Sequence, residues 1–238
     1  MRKGTNHEND VEARGVNAMF QNRVDAGRQL AELLGQYRDA PDALVLALPR
    51  GGVPVGAEVA RALHLPLDVM VVRKLGFPGH EEYAAGAIAA NGVRVTGEPG
   101  VDLSFVLERE QQELARREHA YRGGRAARDL NGMTVILVDD GLATGLSMRA
   151  AIIAARSLGA ARVVAAVPVG EATACQALAR PAKASEFASR SRRERTGSRA
   201  DEVVCMRMPD PFHAVGAWYG VFDPPSDDEV CKTLASWS

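Results

Sequence analysis

Two adjacent carboxylates, Asp139 and Asp140, close an uninterrupted apolar run, Val135-Ile136-Leu137-Val138, and are followed by Gly141-Leu142-Ala143-Thr144-Gly145-Leu146-Ser147. A helical pattern, MRAAIIAARSLG, comes next, so 135–148 reads as a buried parallel strand, a tight loop and a helix N-terminus. Free backbone N–H groups and the positive end of the helix dipole favour a phosphate at such a junction. Thr144 and Ser147 can add hydroxyl donors. The two acids repel a phosphate, but they suit vicinal hydroxyls, or a Mg²⁺ that brings other ligands. Carboxylates for a ribose beside a loop for its 5′-phosphate make a ribose-5-phosphate site. The competing reading is a receiver-like or generic nucleotide-binding strand end with an acidic pair; the hydroxyl-glycine loop directly behind the acids favours the first.

Two other stretches offer cations. LVLALP runs into Pro49-Arg50-Gly51-Gly52 and a helical pattern, VPVGAEVARALHL. Glycines there let the backbone approach a ligand, and Arg50 offers a fork suited to phosphate; an ordinary strand-to-helix turn would read the same way. PLDVMVVRK (66–74) reads as a strand ending in Arg73 and Lys74, either a solvated rim or part of a site.

Together these stretches resemble the type I phosphoribosyltransferases. VILVDDGLATGLSM is similar to that family's signature for phosphoribosyl pyrophosphate (PRPP): an apolar strand, two acids, then a T-G-x-[ST] loop. The resemblance implies a doubly wound, mostly parallel α/β sheet with a small hood from the chain ends or insertions. It implies that Asp139 and Asp140 hold the ribose hydroxyls, and that Ala143, Thr144, Gly145, Leu146 and Ser147 cradle the 5′-phosphate. It assigns pyrophosphate to Arg50, Gly51 and Gly52, where members often carry a non-proline cis peptide, and to Arg73 and Lys74. Mg²⁺ would be held mainly by PRPP, with Asp139 and Asp140 as candidate ligands. The implied reaction moves 5-phosphoribosyl from PRPP to a nitrogen of a nucleobase-like acceptor. Hypoxanthine/guanine-type members carry Asp where this chain has Ala143, which disfavours a 6-oxopurine. The alternative within the same fold is a regulator that binds PRPP or a nucleotide, with RNA or DNA as its partner.

The rest of the chain must position these groups. Residues 1–18 are polar and aperiodic and read as a loose tail, leaving 19–238 as one domain. Val24, Leu30, Leu33 and Leu34 mark an amphipathic helix over 22–37. Residues 75–101 are rich in Gly, Pro and small side chains and read as a long irregular loop, in the family a lid over PRPP. Glu81, Glu82 and Tyr83 belong to that loop or to the acceptor pocket; His80 reads as an acid/base group or a surface histidine. Within it AAGAIA and GVRVT read as a hairpin. LSFVLEREQQELARREHAY (103–121) is a helix with Ser104 as N-cap and a dense, solvated charge face. Arg122-Gly-Gly-Arg125 reads as a connector. ARVVAAVPVG (161–170) is a buried strand, EATACQALA a short helix, DEVVCM a strand and SDDEVCKTLASW a capped final helix. Phe212, Trp218, Tyr219, Phe222 and Trp237 read as packing, or as a hood over 205–238 with one ring stacked on a heterocycle.

Bulk properties restrict the partners. A net charge of −1 gives no global case for nucleic acid or a membrane surface. Residues 181–200 hold six basic side chains (Lys183, Arg190, Arg192, Arg193, Arg195, Arg199) against Glu186 and Glu194, and read as a disordered insertion, with an RNA-contacting arm as the alternative. Cys175, Cys205 and Cys231 fit neither a disulfide framework nor a metal site, and with no signal peptide or apolar span point to a reducing cytoplasm. Family habit implies a homodimer.

Overall fold

A computed structural model describes residues 19–77, 80–96, 103–179 and 197–237. Its centre is a sheet built from the short apolar runs. The strands are β1 (Ala43–Ala47), β2 (Leu67–Val69), β6 (Thr134–Val138), β7 (Arg162–Val169) and β8 (Glu202–Arg207), all parallel, in the order β2-β1-β6-β7-β8. The register sets Ala47 beside Val138, so the carboxyl ends of β1 and β6 finish level, while β7 runs on from Ala166, beside Val138, to Val169. The sequence direction reverses between β1 and β6, and ligands of open α/β sheets bind at such a switch point.

Helices cover both faces, which is why the strands are apolar without alternation. Ile136 and Val138 of β6 face α1 (Arg23–Leu33), α2 (Gly52–Leu63), α3 (Ser104–Arg122) and α6 (Asp227–Ala235). Val135 and Leu137 face the other way, into one cluster with Met148 and Ile152 of α4 (Leu146–Ser157) and Leu178 of α5 (Ala172–Ala179). The chain winds both ways from the centre, as expected of a doubly wound sheet.

Three sequence expectations change. The run 66–74 is two strands: β2 joins the parallel sheet, and β3 (Val72–Phe77) leaves it for a separate antiparallel sheet. The run reads as one because Met70 and Val71, which cross between the sheets, are themselves buried. The expected irregular loop is largely strand as well. β4 (His80–Ala89) pairs β3 and β5 (Val93–Thr96), with the hairpin turn at Asn91 and Gly92, both in the left-handed region. Small residues are there because Ala85, Ala87 and Ala89 are buried under neighbouring elements. Ser104 is the first residue of α3 rather than its cap; Leu103 takes the N-cap place without a side-chain bond.

The remaining helix ends follow their residues. Asn22 accepts from the Asp25 N–H at the start of α1, and Ser226 and Glu229 form a capping box on α6. The start of the described chain meets the segment 218–221. Gly220 N–H donates to the Phe20 carbonyl at 2.8 Å and Val221 N–H to Gln21 at 2.9 Å. Phe20, Tyr219 and Phe222 pack there, with the first two ring centroids 5.3 Å apart. The tail 1–18, the arginine-rich stretch up to residue 196 and the side chains of His80, Glu81, Glu82 and Tyr83 lie outside the described residues.

Candidate active site

A cavity of about 600 Å³ opens at the carboxyl ends of β1 and β6. Arg50, Gly51, Arg73, Lys74, Asp139, Asp140 and all five residues of 143–147 line it. The residues singled out from three separate stretches therefore share one space. Gly52 does not line it. A Cβ there would fall 2.6 Å from the Val138 carbonyl oxygen, so this glycine lets α2 pack on the end of β6.

The loop after β6 leaves a helix N-terminus that can receive an anion. Gly145 has φ +75° and caps α4 without any side-chain hydrogen bond. The first-turn N–H groups of α4 therefore lack a capping side chain where Leu146, Ser147 and Met148 line the cavity. The loop is held from behind: Leu142 N–H donates to Val169 and Glu171 N–H to Leu142, at 3.0 and 2.8 Å. The peptide joining Pro49 to Arg50 is cis.

The acid pair is asymmetric. Asp139 Oδ1 accepts the Asp140 N–H at 2.9 Å. Burial, and then the Asp140 charge beside it, push the Asp139 carboxyl well above the usual carboxylate range. Burial also raises Asp140, opposed by the Arg23 guanidinium, whose Nε donates to Asp140 Oδ2 at 2.7 Å. A cavity that holds two carboxylates at a cost in charge is prepared for a ligand that returns hydrogen bonds or positive charge. Among the described residues no group of three or more His, Cys, Asp or Glu side chains is arranged to hold a metal. Two adjacent carboxylates suit Mg²⁺ that brings most of its ligands on a phosphorylated substrate.

The cations differ in their commitments. Arg73 places Nε 2.8 Å and Nη2 2.5 Å from Glu110 Oε2, so its fork is occupied by α3. Lys74 is exposed and contributes attraction to both aspartates. Arg50 Nη1 stands 4.0 Å from Asp227 Oδ1. That carboxylate also accepts from Tyr121 at 2.7 Å and from Arg116 at 3.2 Å. Arg122 turns away from the cavity to the Val69 carbonyl and Asp68, as suits a connector.

Several site residues were not read from the sequence. Arg23 heads the buried stripe Arg23, Ala26, Gly27, Leu30, Ala31 of α1, and a cation on an apolar stripe was the available signal. Glu110 sits on the stripe Leu103, Leu107, Leu114 of α3 and is 5 % exposed, so that helix is not simply a solvated charge face. Arg109 and Arg117 of the same helix also line the cavity. Phe222 lines it too, and its ring is already engaged by two neighbours. The Arg23 guanidinium carbon lies 3.8 Å from its ring centroid, and Tyr219 stacks at 4.9 Å.

Comparison with known proteins agrees with this geometry. The chain is 44 % identical over 224 residues to a Mycobacterium tuberculosis protein, found in strains H37Rv and CDC 1551, that is provisionally named a phosphoribosyl transferase. The match covers 91 % of this chain and 46 % of that protein, so the chain spans about half the length of the curated relatives it matches. The crystal structure of TT1426 from Thermus thermophilus superposes with a TM-score of 0.70 at 39 % identity, covering 92 % of this chain and 99 % of that one. The model of the phosphoribosyl transferase domain matches residues 18–190, and the chain belongs to that family.

Proposed function

We propose that this protein transfers 5-phosphoribosyl from PRPP to a nitrogen of a nucleobase-like acceptor and releases pyrophosphate. The observation that carries the reading is the convergence of an acid pair, an uncapped helix N-terminus with two hydroxyls, and the Arg50 and Lys74 cations on one cavity. That set matches the parts of PRPP in kind and number: hydroxyls, a monophosphate and a diphosphate.

The barrier lies in breaking the C1–O bond while positive charge grows on the ribose ring, so the protein contributes by position and electrostatics. Asp139 and Asp140 accept from the ribose hydroxyls and place negative charge near the ring. The loop 143–147 anchors the 5′-phosphate, a remote contact whose binding energy is used at the reacting centre. Lys74 and Arg50 face the departing pyrophosphate. Arg73 acts at one remove, its guanidinium tied to Glu110 while its neighbour Lys74 stays available. Asp139 and Asp140 would help to hold a Mg²⁺ that arrives with PRPP, and the ion would supply charge neutralisation for the leaving group. Ala143 leaves no carboxylate in the loop to meet a purine N7, which disfavours a 6-oxopurine acceptor.

The test is pyrophosphate release from PRPP and Mg²⁺ with pooled purine and pyrimidine bases against a no-base control. Base-dependent release is expected. PRPP binding by calorimetry with no release for any base would replace the transferase by a PRPP-binding regulator.

A further inference from the structure

Asp140 is gripped by Arg23 near the start of the described chain and by the distant segment 219–223. Arg23 Nε donates to its Oδ2 at 2.7 Å, with the two side chains only 9 % and 15 % exposed. The same guanidinium donates through Nη1 to the Asp223 carbonyl at 2.8 Å and covers the Phe222 ring at 3.8 Å. Tyr219 donates its hydroxyl to the Asp140 carbonyl oxygen at 2.5 Å. Gly51 walls Oδ2 from the other side, where a Cβ would stand 1.9 Å away. One carboxylate oxygen and the backbone of Asp140 are thus fixed by these neighbours, and Oδ1 is left for a ligand. Asp139 has no such grip among the described contacts; its hydrogen-bonded oxygen takes the adjacent N–H.

We propose that Arg23 is a positioning residue of the sugar site: it aims Asp140 at a ribose hydroxyl and so makes selection for a hydroxylated sugar phosphate depend on the C-terminal segment at 219–223. The inference rests on the ribose reading above and deepens it. An arginine suits this place because one planar fork meets a carboxylate and a carbonyl at once while lying over a ring, which a lysine ammonium cannot do. The 5′-phosphate loop is separate from this grip, since residues 143–147 make no bond to Arg23, Tyr219 or Phe222 among the described contacts.

The test compares binding of ribose 5-phosphate and 2-deoxyribose 5-phosphate by calorimetry in wild type, Arg23→Met and Arg23→Lys. Wild type should prefer the ribose compound by about tenfold or more, the value of a hydrogen bond to a charged group. Arg23→Met should lose that preference while still binding the deoxy compound as wild type does, which also reports an intact fold and phosphate loop. Arg23→Lys should recover part of the preference. An Arg23→Met protein that keeps the full preference, or that loses both ligands equally, overturns the proposal. A wild type without preference overturns the ribose reading itself.

Discussion

The Gly51 Cα and the Asp140 carboxylate are in van der Waals contact, so close that a methyl group at position 51 would sit 1.9 Å from Oδ2 and 2.6 Å from Cγ. The loop after β1 therefore forms the floor on which the second acid rests. Gly51→Ala must push Asp140 out of line or open the loop. We expect PRPP-dependent turnover to fall at least about 100-fold, with about 1–3 kcal/mol of destabilisation from overpacking. Steady-state kinetics with a parallel denaturant titration checks both. An alanine variant with wild-type rates would show that the contact is relaxed in solution.

The acid pair gives a prediction with opposite signs for activity and stability. The Asp139 carboxyl is raised by burial and by Asp140, so its charged form destabilises the fold at neutral pH. A group raised in this way contributes stability below its unfolded value that is lost as pH rises through the folded one. Asp139→Asn should therefore raise Tm at pH 7, with the gain shrinking as the solution is acidified and the wild-type carboxyl protonates. Asp139→Asn with Asp140→Asn should abolish turnover while the fold survives. Melting curves from pH 4 to pH 8 beside turnover assays decide it; a double variant with normal rates removes the pair from the site.

Acid should loosen the junction of α3 with α6. Arg116, and against burial Arg117, hold the Glu113 carboxyl at about 2, below its ordinary 4.5. Tyr121 and Arg116 likewise lower Asp227. Groups depressed in this way stabilise the fold above their unfolded values, and that contribution goes as pH falls from about 4.5 towards about 2. Glu113→Gln should cost less than about 1 kcal/mol at pH 7, because the pair is partly solvated, and should flatten the acid limb of Tm against pH. A limb that keeps its slope in the variant would assign acid sensitivity elsewhere.

Chelation separates a structural from a catalytic role for the metal. No cluster of three or more ligands among the described residues could hold it, so EDTA should leave the Tm of the ligand-free protein unchanged. The same treatment should stop pyrophosphate release, and added Mg²⁺ should restore it. A lower Tm in EDTA alone would reveal a resident structural ion.

What could be read in the residues was whatever depends on neighbours in sequence. The run 135–148 carries its own strand, turn and helix start, and β7 and α6 announce themselves equally locally. The division of 66–74 between two sheets was not legible, because an apolar run is identical whether its partner is β1 or β4. The cations show the same limit. Arg73 reaches the cavity, but its tie to Glu110, 37 positions later, is not visible in its neighbours. Arg23 meets Asp140 from 117 positions away, and only its place on an apolar stripe hinted at a partner.

That long span has a consequence for the order in which the protein is made. Arg23 leaves the ribosome 200 residues before Asp223, the carbonyl it finally binds. The parallel sheet from β1 to β7 and the phosphate loop can form on the nascent chain, but Arg23 and Asp140 cannot be locked until 219–223 has emerged. A chain stopped short of Tyr219 would carry the loop, the cations and both acids in a pocket whose second acid is unaimed. Synthesis itself thus acts as a timer, withholding the Arg23–Asp140 lock until residues 219–223 have emerged.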